Sequence, residues 1–346
     1  MKLQPIKVAL MTGAGGAHLG AYFSALASCE DVESVAVADS SGQSFASAKK
    51  SLGERLSGTY RDVAEMLKQA KPVMVLVSME AATAPPAIEM ALKNGCHVFA
   101  EKPSCVRASD FDQLVELADS KHKYLMLALA NRLNPEIQTA RRLLRSGTIG
   151  KVYGLEMHII ADQTRLTRTS YHKSWFAKKA RAGGGHLIWL GIHWLDLAMY
   201  VTRSSVTHVS GFTGNVGGQP IDIEDSAAAT LKFDNGTFGT LTSGYYLDRG
   251  YHSHIKIWGS QGWMLIKPTD DDVLQWSSTK GDRSGQLQHF KESKQPRGYT
   301  PFVHAAIRAC ATEEEPPISN TDSRRAIRTV FGIYAAADSG VRQEIS

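Results

Sequence analysis

The first 130 residues alternate between short apolar runs and longer segments with helical periodicity. The apolar runs are Ile6–Thr12, Glu33–Asp39, Pro72–Ser78, His97–Pro103 and Tyr124–Ala130. The segments between them, such as DVAEMLKQA and PAIEMALKNG, repeat apolar residues at helical spacing, and the second of these stops at Gly95. Short strands that alternate with helices predict a doubly wound parallel sheet of the Rossmann α/β class.

The first run leads directly into GAGGAHLG, which supplies two glycines of a dinucleotide-binding turn at Gly13 and Gly15. Glycine is needed there because the chain turns sharply and its backbone approaches a pyrophosphate, whose charge the next helix N-terminus stabilises. The third glycine position holds His18, so either Gly20 and Ala21 ease the helix–strand contact or the turn is reshaped. We assign to the cofactor the turn residues Gly13, Gly15, Gly16, Ala17 and His18.

An acidic residue, Asp39, ends the second run about 20 residues after the glycine turn, where a carboxylate binds the ribose hydroxyls of adenosine. Because this carboxylate would repel a 2′-phosphate, the sequence favours NAD as the cofactor. NADP stays open, since Ser40 and Ser41 could accept a phosphate. Ser40, together with Ser78 and Met79 at the end of the third run, is also assigned to the cofactor site.

Beyond Asn131 the alternation gives way to long runs such as KVYGLEMHIIAD and SHIKIWGSQGWMLIKP. Asn235-Gly236 lies between two alternating apolar runs and is a strong hairpin signal. These runs predict an α+β domain with a large, open mixed or antiparallel sheet. We therefore predict a dinucleotide-binding domain over residues 1–130 and a substrate domain over residues 131–346, with the last helix either in the second domain or packed back on the first.

The composition argues against several classes of partner. The 39 Lys and Arg residues exceed the 34 Asp and Glu residues by only five and are scattered, whereas a nucleic-acid surface needs them concentrated. The four cysteines form no metal-binding spacing, and no run of about 18 apolar residues predicts a membrane span. Since the N-terminus has no signal-peptide pattern, we expect a cytoplasmic protein that binds neither nucleic acid nor membrane.

The stretch GGGHLIWLGIHWLDL carries two histidines, His186 and His193, in a predicted helix that begins after three glycines. At a period of about 3.6 residues, both share one side of the helix with Trp189. They lie about two turns, roughly 10 Å, apart, which is too far to hold one zinc ion without other ligands. We therefore predict no metal site, and the stretch itself is compatible with core histidines and with catalytic ones.

Four segments occur in a fixed order along the chain: MTGAGG, then Asp39, then HVFAEKPSCVRASDFDQLVELAD, then AGGGHLIWLGIHWLDLAMYV. Together with the final NTDSRRAIRTVFGIYAAADSG, they resemble the Gfo/Idh/MocA family of NAD(P)-dependent sugar and polyol oxidoreductases. The resemblance implies that Lys102 contacts substrate and nicotinamide and that His193 is the catalytic histidine. It also implies a homodimer or homotetramer that assembles through the open sheet of the second domain.

The chemistry of alcohol oxidation agrees with these assignments. When a hydride leaves a carbon that bears a hydroxyl, a base must take the hydroxyl proton and a cation must stabilise the developing alkoxide. We expect His193 to be the base and Lys102 the cation. Three further residues at predicted strand ends are assigned to the cofactor, namely Glu101, Asn131 and Arg132.

Trp189 departs from the family pattern, in which aspartate is frequent one turn before the histidine. Tryptophan cannot take up a proton, but its ring stacks on sugars and its N–H donates to hydroxyls. Residues ahead of the glycines are a candidate source of the missing acid–base group. The predicted substrate residues are Lys102, Tyr171, His172, Trp175, His186, Trp189 and His193.

We expect an NAD(P)-dependent dehydrogenase or reductase of carbohydrate metabolism that acts on a secondary hydroxyl or ketone of a sugar, glycoside or cyclitol. Two other functions fit the same residues. Transient oxidation by bound NAD could support a redox-neutral glycosidase, lyase or epimerase. A protein that binds the dinucleotide without turnover could be a regulator, although the presence of both Lys102 and His193 argues against this.

Overall fold

The computed structural model describes residues 4–247, 249–291 and 293–345. The strands are β1 (Ile6–Thr12), β2 (Val32–Asp39), β3 (Leu56–Tyr60), β4 (Met74–Ser78), β5 (His97–Ala100), β6 (Leu125–Leu127), β7 (Val152–Asp162), β8 (Val206–Gly214), β9 (Ser226–Phe233), β10 (Phe238–Leu247), β11 (Tyr251–Gly259), β12 (Gly262–Ile266), β13 (Leu274–Ser278), β14 (Leu287–His289) and β15 (Gln343–Glu344). The α-helices are α1 (Leu19–Ser28), α2 (Phe45–Leu52), α3 (Val63–Ala70), α4 (Ala84–Lys93), α5 (Ala108–Ser120), α6 (Pro135–Arg145), α7 (Thr169–His172), α8 (Lys179–Ala182), α9 (Ile192–Thr202), α10 (Tyr299–Thr312) and α11 (Asn320–Ser339). Short 3₁₀ turns cover Gly53–Arg55, Ala130–Leu133 and Trp175–Ala177, and a π-helix covers Leu187–Gly191. None of the helices in these ranges is long and apolar enough to cross a bilayer.

The chain divides into two compact units. The first unit comprises the chain up to Leu133 together with Ala180–Gly183 and Pro296–Arg324. The second comprises Asn134–Lys179, Gly184–Gln295 and the chain from Arg325 onward. The chain therefore passes between the units several times, and α11 begins in the first unit and ends in the second.

The first unit contains a six-stranded parallel sheet in the order β3-β2-β1-β4-β5-β6. This order confirms the predicted doubly wound Rossmann sheet. The central strands β1 and β4 are almost entirely buried, in keeping with their uninterrupted apolar runs. The sequence missed β3 and α2, because β3 is an edge strand with the sequence LSGTY and half-exposed residues, so no apolar run marks it.

The second unit contains a nine-stranded sheet in the order β14-β13-β12-β11-β7-β10-β9-β8-β15. Strands β7 and β10 pair in parallel, and the other neighbours are antiparallel, which confirms the predicted large mixed sheet. The Asn235-Gly236 hairpin joins β9 and β10, with φ of 85° at Gly236. Only glycine adopts such a backbone readily.

One face of this nine-stranded sheet is covered and the other carries exposed side chains. Helix α9 contacts β7, and α6 packs against both α9 and β12. Along β9, buried and exposed residues alternate, as expected for a sheet with one covered face. On the other face lie the exposed rings of Phe212 (81% exposed), Phe238 (66%) and Trp258 (39%).

The close pairing of β8 with β9 gives a testable stability difference between two glycines of one strand. A Cβ on Gly211 would collide with the carbonyl oxygen of Ala228, whereas a Cβ on Gly214 has no atom within 4 Å. We expect Gly211→Ala to lower the free energy of unfolding by about 1–3 kcal/mol. The matched Gly214→Ala variant should stay within about 0.5 kcal/mol of the parent in the same urea titration. Equal midpoints for the two variants would contradict the described register.

Candidate active site

The glycine turn after β1 is held tightly against the end of β4. A Cβ on Gly16 would collide with the Thr12 side chain and lie 2.6 Å from the carbonyl oxygen of Ser78. The Ser78 hydroxyl donates to the carbonyl oxygen of Ala17 at 2.6 Å. Gly15 has φ of 80°, in the left-handed region. The turn therefore requires glycine at Gly15 and Gly16, whereas the sequence predicted the requirement at Gly13 and Gly15, and a Cβ on Gly13 would meet no atom within 4 Å.

His18 completes the turn in an unusual way. It precedes α1 in the left-handed conformation, with φ of 57° and ψ of 18°. A Cβ on Gly20 would have no atom within 4 Å, so that glycine is not required by helix–strand packing. Of the two alternatives for the missing third glycine, the structure therefore has the reshaped turn. The imidazole Nδ1 lies 3.0 Å from Glu101 Oε2 and 3.1 Å from the Tyr299 hydroxyl.

Glu101 is a buried carboxylate, 3% exposed, beside the glycine turn. Its Oε2 also accepts a hydrogen bond from the Tyr22 hydroxyl. Burial and the nearby carboxylate raise the pKa of Tyr22 and of Tyr299 well above the usual range, so both phenols stay protonated. Oε1 of Glu101 has no hydrogen-bond partner within the described ranges. A buried acceptor without a donor is costly, and a bound ligand with an N–H or O–H group would satisfy it.

Lys102 follows Glu101 and is 3% exposed. The Glu101 N–H donates to the carbonyl oxygen of Val77 at 2.7 Å, which joins the end of β5 to the end of β4. The Lys102–Pro103 peptide bond is cis. Lys102 therefore lies at the carboxyl edge of the parallel sheet, the edge that also carries the glycine turn and Asp39.

Asp39 ends β2 and is 2% exposed. One carboxylate oxygen accepts bonds from the N–H and hydroxyl of Ser41, at 2.9 and 2.7 Å. The other accepts from the N–H and hydroxyl of Ser44, at 2.9 and 2.8 Å. Burial alone would raise the pKa of Asp39, but these four donors outweigh it and lower the pKa below its ordinary value. The exposed Arg61 donates to the carbonyl oxygen of Ser40 at 3.0 Å, so a guanidinium lies beside this carboxylate turn.

Two of the predicted cofactor residues lie in the 3₁₀ turn Ala130–Leu133. The Arg132 side chain is buried and its guanidinium donates to Asp322 at 2.8 Å. Its charge therefore has a partner within the first unit, a contact that the sequence did not suggest. The assignments of Asn131 and Arg132, and of Met79 just after β4, to the cofactor remain predictions.

In the second unit, the glycines before the helix pack around Glu224. Its Oε2 accepts from the N–H of Gly185 at 2.6 Å, and its Oε1 accepts from the N–H of Leu187 at 2.9 Å and the hydroxyl of Tyr334 at 2.8 Å. A Cβ on Gly185 would collide with the Glu224 backbone, and one on Gly184 would collide with the Tyr334 hydroxyl. The glycines are thus required by these contacts, which the sequence did not reveal.

The predicted helix begins with the π-helix Leu187–Gly191 and continues as α9. The wider π-helical turn breaks the period from which the sequence placed His186, Trp189 and His193 on one side, so that prediction does not hold across this turn. His186 is fully buried, with Nδ1 2.6 Å from the Ser243 hydroxyl and its ring edge-on to Tyr245 at 4.4 Å. His193 is half-buried as the second residue of α9.

The two tryptophans predicted to face the sugar form an aromatic cluster. Trp175 stacks on Phe176 with ring centroids 3.9 Å apart, and Trp189 meets these rings at 5.4 and 5.0 Å. Trp175 is 5% exposed and Trp189 is 7% exposed. Little of either indole is therefore accessible to solvent. The rings pack the turn 175–177 onto the π-helix.

The remaining predicted substrate residues differ in their surroundings. Tyr171 packs against the buried cluster that contains Leu166 and Tyr245, and burial raises the pKa of its phenol above the usual range. His172 contacts the carbonyl oxygen of Leu166 in its own loop through Nε2. The sequence gave no prediction for Tyr245, because its neighbours in the fold, such as His186, are distant in sequence. In the described part of the chain, no group of three or more His, Cys, Asp and Glu side chains could hold a metal ion.

Two family models match this chain. The oxidoreductase family model GFO/IDH/MocA, with its NAD-binding Rossmann fold, matches residues 7–129. The GFO/IDH/MocA C-terminal domain matches residues 137–265. The first match includes the glycine turn, Asp39 and Lys102. The second includes the glycines before the π-helix and the two histidines that flank it, His186 and His193.

The relatives found by sequence and by structure agree with these matches. D-glucoside 3-dehydrogenase from Escherichia coli is 28% identical, over 100% of this chain and 99% of its own length. Myo-inositol 2-dehydrogenase from Thermotoga maritima is 24% identical over 84% of each chain. Levoglucosan dehydrogenase, solved in complex with NADH and L-sorbose, shares the fold with a TM-score of 0.86 at 17% identity, over 99% of this chain and 100% of that one. The chain therefore belongs to the GFO/IDH/MocA family of NAD(P)-dependent oxidoreductases.

Proposed function

We propose that the protein oxidises a secondary hydroxyl of a sugar, glycoside or cyclitol with a nicotinamide dinucleotide. The observation that carries the proposal is the buried Glu101–Lys102 turn at the same sheet edge as the glycine turn. A lysine at this edge is in keeping with a dinucleotide that is bound on the glycine turn and extends along the edge. The named activities of relatives on glucosides and on myo-inositol support a polyhydroxylated substrate.

The residues of the first unit fit such a cofactor. A Cβ on Gly13 would meet no atom within 4 Å, so space is open at the turn for a pyrophosphate. The Glu101 oxygen without a partner offers an acceptor at the same edge. When bound there, the dinucleotide supplies a nicotinamide ring that accepts a hydride.

The roles of the two proposed catalytic residues follow from the protons and charge of the reaction. His193 takes the proton of the hydroxyl that is oxidised. The Lys102 ammonium donates a hydrogen bond to the same oxygen as its negative charge develops. The indole of Trp189 does not exchange protons with a substrate at neutral pH, so we assign it to packing with Trp175 and Phe176.

The function is tested by incubating the protein with NAD and a panel of sugars, glycosides and cyclitols while NADH absorbance is followed. NADH formation with at least one compound is the expected result. Product formation that depends on bound NAD, without net NADH, would support the redox-neutral alternative instead. A folded protein that binds NADH and converts nothing in the panel would contradict the proposal and favour a regulator.

Loss of either catalytic side chain should remove most of the turnover. We expect Lys102→Ala and His193→Ala each to lower kcat by at least about 100-fold, because each group acts on the reacting oxygen. The matched controls Lys93→Ala and His289→Ala change exposed residues that form ion pairs elsewhere, and should keep the parent rate. A His193→Ala variant with the parent kcat would remove this residue from the mechanism.

We propose NAD rather than NADP as the preferred cofactor. The Asp39 carboxylate stays ionised, since its pKa lies below the ordinary value, and it opposes a 2′-phosphate. Removal of this charge leaves the Arg61 guanidinium beside Ser40. We therefore expect Asp39→Asn to raise NADPH affinity relative to NADH by about tenfold, and Asp39→Asn/Arg61→Gln to return the ratio toward the parent value.

Fluorescence titration with NADH and with NADPH measures both dissociation constants without a known substrate. The parent preference for NADH should be constant from about pH 7.5 to about pH 9, because neither a carboxyl with a lowered pKa nor a phosphate monoester, whose second pKa is about 6, titrates in that interval. An unchanged ratio in Asp39→Asn, in a protein that still binds NADH, would show that this carboxylate does not select the cofactor.

We also propose that the protein works as a homodimer or homotetramer through the open face of the nine-stranded sheet. The rings of Phe212, Phe238 and Trp258 on this face are large and exposed. Contiguous exposed apolar surface is typical of protein interfaces. A cytoplasmic location is proposed on a separate ground, since the four cysteines are free and buried.

A charge placed in this face should weaken assembly. We expect Phe212→Glu to shift the molar mass measured by light scattering after gel filtration toward that of a monomer, because the carboxylate would have to be buried. Val216→Glu is the matched control, since Val216 is 78% exposed and lies in the loop after β8. A parent that is monomeric at all concentrations would overturn the proposal.

A further inference from the structure

We propose that the sugar substrate carries a carboxylate or phosphate group and that Arg165 binds this oxyanion. The inference rests on the proposed function and names the class of substrate that the second unit selects.

The segment between β7 and the glycines has a one-sided charge. Between residues 163 and 179 there are five Lys or Arg residues and no Asp or Glu. The segment does not extend freely into solvent, because its residues Leu166 and Ala177 are buried in one cluster with Tyr245. The backbone that carries these charges is thus held beside Tyr245, whose ring is edge-on to that of His186.

Arg165 is the cation of this segment that contacts the ring of Tyr245. Its guanidinium carbon lies 5.5 Å from the centroid of the Tyr245 ring. Tyr245 is in turn edge-on to the buried ring of His186, at 4.4 Å. In the described part of the chain, no carboxylate lies within ion-pair distance of Arg165; the charge of Asp162 acts on it from farther away, and tyrosines surround its guanidinium. A planar guanidinium with donors to spare is suited to a carboxylate or a phosphate.

The neighbouring hydroxyls add donors of the same kind. Burial raises the pKa of Tyr245 to about 12 and that of Tyr171 further, so both phenols keep their protons at neutral pH. The one carboxyl close to both phenols, Glu224, is occupied by two backbone N–H groups and by Tyr334. Burial raises the pKa of Glu224 in spite of these bonds. The corner formed by Arg165, Tyr171 and Tyr245 therefore offers a guanidinium and two protonated phenols as hydrogen-bond donors.

An oxyanion on a sugar occurs as the carboxylate of a uronic acid or as the phosphate of a sugar phosphate or nucleotide sugar. The test compares matched pairs in gluco, galacto and manno configuration: each neutral sugar with its uronate and with its 6-phosphate, and glucose with UDP-glucose. The assay is NADH formation at low ionic strength. In each pair that is converted, we expect the anionic sugar to have at least about tenfold higher kcat/KM than the neutral sugar. Comparison of the uronate, the 6-phosphate and UDP-glucose then shows which oxyanion is preferred.

Arg165→Met should reduce this preference to less than about threefold, and should do so mainly through KM, because the guanidinium contacts a part of the substrate that does not react. Arg168→Met removes the same charge from the same segment without a ring contact and should retain the preference. Circular dichroism and NADH titration of both variants establish that each is folded.

The inference is overturned if neutral sugars are converted at least as well as their anionic partners, or if Arg165→Met keeps the preference of the parent. The proposed function survives both results, since NADH is formed in each. If the folded protein binds NADH but forms none with any pair, the proposed function fails, and with it the inference.

Discussion

The carboxylate of Glu224 accepts hydrogen bonds from the backbone of Gly185 and Leu187 and from the Tyr334 hydroxyl. These bonds satisfy N–H groups at the start of a helical segment that otherwise would be buried without partners. Because the backbone must come this close to Glu224 and Tyr334, no side chain fits at Gly184 or Gly185. The π-helical turn that follows, with Trp189 on it and His186 just before it, starts from this anchor.

The first unit is arranged around a similar buried carboxylate. Glu101 contacts His18 of the glycine turn and accepts from Tyr22 of α1, and His18 in turn contacts Tyr299 of α10. The adjacent Lys102 is thereby fixed at the carboxyl edge of the sheet, where open α/β sheets bind ligands. In both units a buried acid organises a glycine-containing turn, and the residues proposed for chemistry lie beside that turn.

The sequence predicted those features that depend on local pattern. Apolar runs located five of the six parallel strands, and the glycines and Asp39 located the cofactor turn. It missed β3, whose exposed edge needs no apolar run, and α2 beside it. It could not show that Glu224 and Tyr334 hold the glycines of the second unit, because these partners are distant in sequence. The helical period also failed at Leu187–Gly191, since a π-helix has no signal in the spacing of apolar residues.

The path of the chain has a consequence for how the protein is made. The first unit takes residues Pro296–Arg324 from far along the sequence, and α10 within them packs on α1. A ribosome releases the chain from its N-terminus, and domains that are continuous in sequence can fold as they emerge. Here the surface of α1 that receives α10 stays uncovered until most of the chain has been synthesised. Folding of the cofactor unit is therefore completed late in translation, although its glycine turn is among the first segments to appear.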